Sequence, residues 1–186
     1  ASFYIPGFVA ETHEEMVKEV ARRGHEVAHH GYMHEPPMTL SRDEEAAVLD
    51  RGSAILERIT GERPRGYRAP GAELSEDSLA LLAERGFLYD SSLMGEDVPY
   101  VLDADGTEIV EVPFHWEMDD VAYFNYAPSL GLRQFMATPQ HVYDVWSAAF
   151  EGAYHYGRAI VPVMHPYVTG RLSRLRMLDR LIEHMQ

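Results

Sequence analysis

The sequence predicts an α/β protein built on a parallel sheet covered by helices. Three observations predict it. Short apolar runs recur at 2–5, 25–30, 66–68, 87–89, 109–113 and 159–164. Segments with helical periodicity and their own start and stop residues lie between many of them. Histidine, arginine and aspartate gather just beyond the ends of those runs. Such a sheet either closes into a barrel or stays open as a doubly wound sheet, and in both its sites sit at the carboxyl ends of the strands.

Taken in order, residues 2–5 are apolar and aromatic, and Pro6-Gly7 ends them. Thr12 with Glu15 reads as a capping box, and Met16, Val17, Val20 and Ala21 give a helical face that Gly24 closes. Strand 25–30 follows, and Pro36-Pro37 breaks the chain. Ser41 with Glu44 is a second capping box, opening a helix that Gly61 stops. Strand 66–68 runs into Pro70-Gly71. Ser75 caps a third helix bearing Leu79, Leu82 and Ala83, with Gly86 as its stop. Strand 87–89 comes next, and 95–106 reads as an irregular surface excursion. Residues 109–113 alternate as a strand does, whereas 122–134, aromatic with proline and glycine, fits no element. Helix 139–156 starts on Pro139. Run 159–164 is a wholly apolar strand, and 171–185 is the last helix, with Leu172, Leu175, Leu178 and Leu181 as its core face.

The chain has 186 residues, the size of a single domain with a real core, so 1–186 is read as one domain. Its formal charge of −14 argues against a nucleic-acid or anionic-membrane partner. With no cysteine, a metal must rest on His, Asp or Glu. No apolar run is long enough to span a bilayer, and residues 1–6 lack the basic and apolar regions of an export signal. The expectation is a cytoplasmic protein acting on a small substrate. The chain also begins as a strand already in progress.

The chemistry centres on Gly24-His25-Glu26-Val27-Ala28-His29-His30-Gly31-Tyr32-Met33-His34-Glu35. His30 and His34 follow a strand, and Gly31 lets the backbone turn so that both rings reach one ion. The rival pair, His25 and His29, has the same spacing but lies within the strand, where four residues span about 13 Å, too far to share a cation. Strand 66–68 ends in Arg68-Ala69-Pro70-Gly71, strand 109–113 in His115-Trp116 with Asp119-Asp120 beyond, and strand 159–164 in His165-Pro166. Four strand ends carrying such groups point to one convergent site. His165 suits a general acid, and Arg68 a bidentate orienter of a carboxylate. Trp116 and the tyrosines of 123–126 suit either a substrate cleft or packing. The plainer alternatives are hydrogen-bonded loop histidines, a core histidine at 165 and solvated aspartates.

These motifs resemble those of the polysaccharide deacetylase family, carbohydrate esterase family 4. His30-Gly31-Tyr32-Met33-His34 is similar to its metal-binding His-x3-His, Tyr67-Arg68-Ala69-Pro70-Gly71 to its Arg-x-Pro motif, and Met164-His165-Pro166 to its late Leu-His motif. The wording around His34-Glu35 and 165–171 resembles a branch containing allantoinases, cyclic imide hydrolases and some peptidoglycan deacetylases. The resemblance implies a distorted (β/α) barrel with fewer than eight strands. It implies a divalent metal, usually zinc, on His30, His34 and an aspartate, and hydrolysis of an amide by water activated there, with a second aspartate as base. Arg68 would orient that base, His165 would protonate the leaving nitrogen, Asp120 or Asp119 would tune His165, and the Gly71 N–H would hold the oxyanion. The family's Asp-Asp motif on its first strand should precede Ala1 and is absent, so that strand is expected to be missing or supplied by a separate N-terminal fragment. Substrates in view are a small cyclic amide or ureide and an N-acetyl sugar, acted on by a homo-oligomer. The alternative is a non-catalytic metal-binding or scaffold domain.

Overall fold

The computed structural model describes residues 1–126 and 135–186; of the stretch 122–134, the part beyond residue 126 lies outside the described residues. The chain forms two compact units, Ala1–Leu93 with Pro99–Val112, and Met94–Val98 with Pro113–Gln186.

The first unit holds a six-stranded sheet in the order β1-β2-β3-β4-β6-β5. Its strands are β1 (Ser2–Ile5), β2 (Glu26–His29), β3 (Gly66–Tyr67), β4 (Tyr89–Asp90), β5 (Tyr100–Ala104) and β6 (Thr107–Glu111). All neighbours are parallel except β5 and β6. The fold is thus mixed α/β. The stretch 95–106, expected to be irregular, instead contains β5, the outer arm of a hairpin. Asp105 and Gly106 take φ of 53° and 84°, a two-residue turn with both central residues left-handed, and Asp103 accepts the Gly106 N–H at 2.6 Å. Asp-Gly was the overlooked signal.

Four helices accompany this sheet: α1 (Gly7–Thr12), α2 (Glu14–Arg22), α3 (Arg42–Thr60) and α4 (Ser78–Glu84). The Thr12/Glu15 capping box does not form. Thr12 ends the unexpected α1, its hydroxyl bonding back to the Phe8 and Val9 carbonyls, while Glu15 pairs with Lys18. The Ser41/Glu44 box does form, and Gly61 closes α3 at φ 80°. Ser75 accepts the Asp77 N–H at 3.1 Å in a turn preceding α4, and is not its cap. Strands of two residues do not hold themselves. Burial of Leu49, Tyr67, Leu81, Leu82, Phe87 and Ile109 in one cluster does, each side chain contributing about 1.5–3 kcal/mol. A second cluster, Ile5, Ala10, Val17, Leu56 and Ile59, seats the first helices.

Glycine is required at position 66 by close approach. A Cβ there would lie 2.1 Å from the Tyr89 ring, whose hydroxyl bonds Glu26 at 2.8 Å. Gly66→Ala is expected to cost about 1–3 kcal/mol, as overpacked core sites do. Urea denaturation of the two proteins checks this, and an unchanged midpoint would contradict it.

The second unit contains α5 (Val121–Phe124), α6 (Pro139–Tyr156), α7 (Pro166–Thr169) and α8 (Leu172–Met185). Thr138 caps α6 by accepting the His141 N–H at 3.1 Å. Met118, Phe124, Val142, Trp146, Val168, Met177 and Leu181 form its core. Two expectations are corrected. Run 159–164 is not a strand: among the described residues it makes one parallel bridge, Val163 to Asp119, and Pro162 has no N–H to extend it. On α8, Met177 and Leu181 are buried, whereas Leu172 is 88% and Leu175 41% exposed; the inward stripe begins at Met177. No helix among the described residues is long and apolar enough to cross a membrane.

Candidate active site

β2 stops at His29, and the next residues turn sharply, with Gly31 at φ 71° and His34 at φ 66°. The turn is tied from several sides. The first N–H groups of α1, which have no partner within a helix, donate from Gly7 to the Gly31 carbonyl at 3.0 Å and from Phe8 to that of Tyr32 at 2.9 Å. The Glu35 carboxylate accepts the Tyr32 and Met33 N–H groups at 3.0 and 2.8 Å. The Arg51 guanidinium covers the Tyr32 ring at 3.6 Å.

This loop brings the His30 and His34 rings to 4.8 Å, edge to face. His30 Nδ1 lies 2.7 Å from the Arg68 carbonyl. A carbonyl only accepts, so Nδ1 carries the proton and Nε2 keeps its lone pair. Burial pushes the His30 imidazole down to about 3, so it is neutral at pH 7. Two neighbouring imidazoles, one with its far nitrogen fixed by a carbonyl, are a donor set suited to zinc or a borderline neighbour. Among the described residues, no third His, Asp or Glu joins this pair in a tight ligand cluster.

Arg68, following β3, is 7% exposed. Its Nε and Nη2 donate to the Ser91 carbonyl and hydroxyl, both at 2.6 Å, and its plane lies over Tyr4 at 4.4 Å. Ser91 in turn donates to the Val112 carbonyl at 2.6 Å, so the arginine is set by three neighbouring strands. Gly71 is exposed, with φ 71° and nothing near its missing Cβ. There the backbone angle, not crowding, favours glycine.

In the second unit, Asp120 and His165 meet. Asp120 is fully buried and its carboxylate accepts three bonds: His165 Nδ1–H at 2.7 Å, the His165 main-chain N–H at 2.9 Å and the Thr169 hydroxyl at 2.5 Å. The carboxylate thus sets both the backbone and the ring of His165, and leaves Nε2 as its outward nitrogen. Asp119 Oδ1 lies 4.0 Å from His165 Nδ1 and accepts the Val121 N–H at 2.8 Å. Ligand atoms of Asp119, Asp120 and His165 all fall within 4.8 Å, so the three could hold an ion. The three donors already on Asp120 make a hydrogen-bonded acid site the better description. Trp116 is 49% exposed and meets Phe114 edge-on at 5.5 Å. Tyr123 is tied to the Glu117 carbonyl at 2.8 Å, and Tyr126 is exposed.

Sequence reasoning missed a buried carboxyl pair. Parallel register sets Asp90 of β4 beside Glu111 of β6, both 0% exposed. Ser92 donates its N–H and hydroxyl to Asp90 at 3.0 and 2.7 Å, while Glu111 Oε1 accepts the Leu93 N–H at 2.9 Å. Burial and then the Asp90 charge push Glu111 up to about 9. Asp90 therefore holds the charge and Glu111 the proton. Among the described residues no donor reaches Glu111 Oε2.

The fold and these groups define a mixed α/β protein with histidine chemistry at strand ends. A family profile described as polysaccharide deacetylase matches residues 1–89. A peptidoglycan deacetylase of Helicobacter pylori is 30% identical over 211 aligned positions, covering 100% of this chain and 72% of that protein. A Mycobacterium smegmatis structure assigned as a polysaccharide deacetylase is 38% identical with a TM-score of 0.94, covering 98% of this chain and 64% of that one. The PuuE allantoinase structure has a TM-score of 0.86 at 22% identity, over 98% of this chain and 60% of that one, and speaks for the fold alone. The chain belongs to the polysaccharide deacetylase family.

Proposed function

We propose that this chain carries the metal and acid groups of a metal-dependent hydrolase cleaving a non-peptide amide C–N bond, on the distorted (β/α) barrel that the resemblance implies. The observation carrying this is the His30–His34 pair at 4.8 Å, with His30 Nδ1 fixed by the Arg68 carbonyl. The deacetylase relative supports the bond class. His30 and His34 would hold a divalent cation, zinc by the donor set. When bound, that cation supplies Lewis acidity and a nucleophilic water near neutral pH. His165, oriented by Asp120, delivers a proton to the leaving nitrogen, so that a neutral amine departs. The Gly71 N–H donates to the carbonyl oxygen as negative charge builds there. Arg68, held here by Ser91, would orient the aspartate base that the resemblance places in the family's Asp-Asp motif, and Trp116 offers an apolar face to the substrate. The charge of −14 disfavours polyanions and suits a small neutral amide or ureide, or an N-acetyl sugar. The working form is a cytoplasmic homo-oligomer.

The test is zinc affinity, by competition with a chromophoric chelator, for the wild-type chain, His30→Ala and His34→Ala. Each variant is expected to bind at least about tenfold more weakly, since even supporting groups of metal sites are worth that much. Equal affinities would sink the reading. A second reading, a non-catalytic metal-binding or scaffold domain, draws on the want of a third ligand beside the pair among the described residues. It prevails if acetylated glucosamine oligomers and cyclic imides both survive incubation with zinc-loaded protein.

A further inference from the structure

Beneath the loop that presents His30 and His34 sits a third histidine with no role so far. His29 closes β2 and is 0% exposed, its ring packed against Tyr67 at 5.6 Å and edge-on to Phe87 at 5.8 Å. Its Nδ1 accepts the Gly31 N–H at 3.1 Å. An accepting Nδ1 puts the ring proton on Nε2. That nitrogen faces α3 on the side of the Leu49 carbonyl, at a geometry poorer than a normal hydrogen bond.

The surroundings are shaped for this ring. A Cβ on Gly52 of α3 would lie 2.2 Å from His29 Nε2. Gly7, whose N–H holds the Gly31 carbonyl, faces the same turn of α3: its Cβ would fall 3.1 Å from Gly52 Cα and 2.9 Å from the Tyr32 ring. Both features cost stability. A glycine inside a helix is less stable than alanine, because it loses more conformational freedom on folding. A buried N–H held at a poor angle to its acceptor forfeits part of a hydrogen bond. An aliphatic side chain at 29 would avoid the second cost. What only a side-chain acceptor supplies is an anchor for the Gly31 N–H, at the left-handed residue between the two imidazoles.

Resting on the metal role proposed for His30 and His34, we infer that His29 is a positioning residue: it holds the Gly31 turn so that both imidazoles face one cation. It touches neither cation nor substrate and acts through the turn alone.

The test compares wild type, His29→Leu, His29→Asn and His30→Ala, measuring zinc affinity, the d–d spectrum of bound Co2+ and thermal midpoint. His29→Leu is expected to keep its midpoint, yet bind zinc about tenfold more weakly, the low end for supporting groups of metal sites, with an altered Co2+ spectrum. His29→Asn, whose Oδ1 can accept the Gly31 N–H, is expected to recover most of that affinity. His29→Leu with wild-type affinity and an unchanged Co2+ spectrum would overturn the inference. So would a loss of midpoint and affinity together that asparagine leaves unrepaired. If wild type binds zinc no better than His30→Ala, the metal reading itself fails, which is a different result from either.

Discussion

Asp120→Asn is expected to lower amide-hydrolysis turnover by about 10²–10⁴-fold, the range a positioned general acid contributes, while leaving the fold standing. The carboxylate accepts from the His165 ring, the His165 main chain and the Thr169 hydroxyl. Asparagine retains the shape and one acceptor oxygen, but replaces the other oxygen with an NH2 donor. If that NH2 faces His165 Nδ1, the ring must accept there, moving its proton to Nε2 in the neutral form and removing the partner for the imidazolium. Three measurements separate this from unfolding: circular dichroism, kcat against KM, and nitrogen NMR of the imidazole. The expected pattern is intact ellipticity, a fall concentrated in kcat and loss of the hydrogen-bonded Nδ1–H signal. Wild-type kcat in Asp120→Asn would remove His165 from the proton-transfer role.

The second large effect is on stability. Glu111 is pushed up to about 9 in the folded chain, from an ordinary 4.5, by burial and by Asp90. Between those values the folded state holds a proton that the unfolded state has released. The proton's contribution is complete below the unfolded value and disappears as pH rises through the folded one. Stability is therefore expected to fall from about pH 5 to pH 9, with a slope of up to about 1.4 kcal/mol per pH unit for a single proton. Over several units that is a sizeable share of the 5–15 kcal/mol typical of a domain. Glu111→Gln keeps a donor for Asp90 and does not titrate, so it should flatten the slope and leave the variant the more stable protein at pH 9. Guanidinium melts at pH 6 and pH 9 decide this. Parallel slopes for both proteins would show that the proton resides elsewhere.

Where sequence signals are local they translate directly into structure. Ser41 with Glu44 at the start of α3, and Gly61 at its end, depend on main-chain bonds a few residues away. Thr12 and Ser75 carried the same kind of signal, yet their hydroxyls serve neighbouring turns. Each had a competing backbone partner close by, and local chemistry alone does not rank them. The apolar run 159–164 failed differently: hydrophobicity alone does not make a strand, which also needs a partner edge, and among the described residues this run has one bridge. Glu111 was half legible, because period-two alternation puts it on the face of Ile109. Its partner on β4 was not, since register is a property of pairing.

By itself the sequence determined which elements alternate, where several begin and end, and which side chains stand just past the strands, because these follow from backbone conformation and short-range bonds. Only the tertiary structure decided that the Arg68 carbonyl holds His30, that Asp120 takes three donors around His165, and that Gly7 and Gly52 open a socket for His29. Those choices depend on which distant groups share a desolvated space. There an unmatched donor can cost as much as a whole buried aliphatic side chain gains, and no pattern along the chain records that balance.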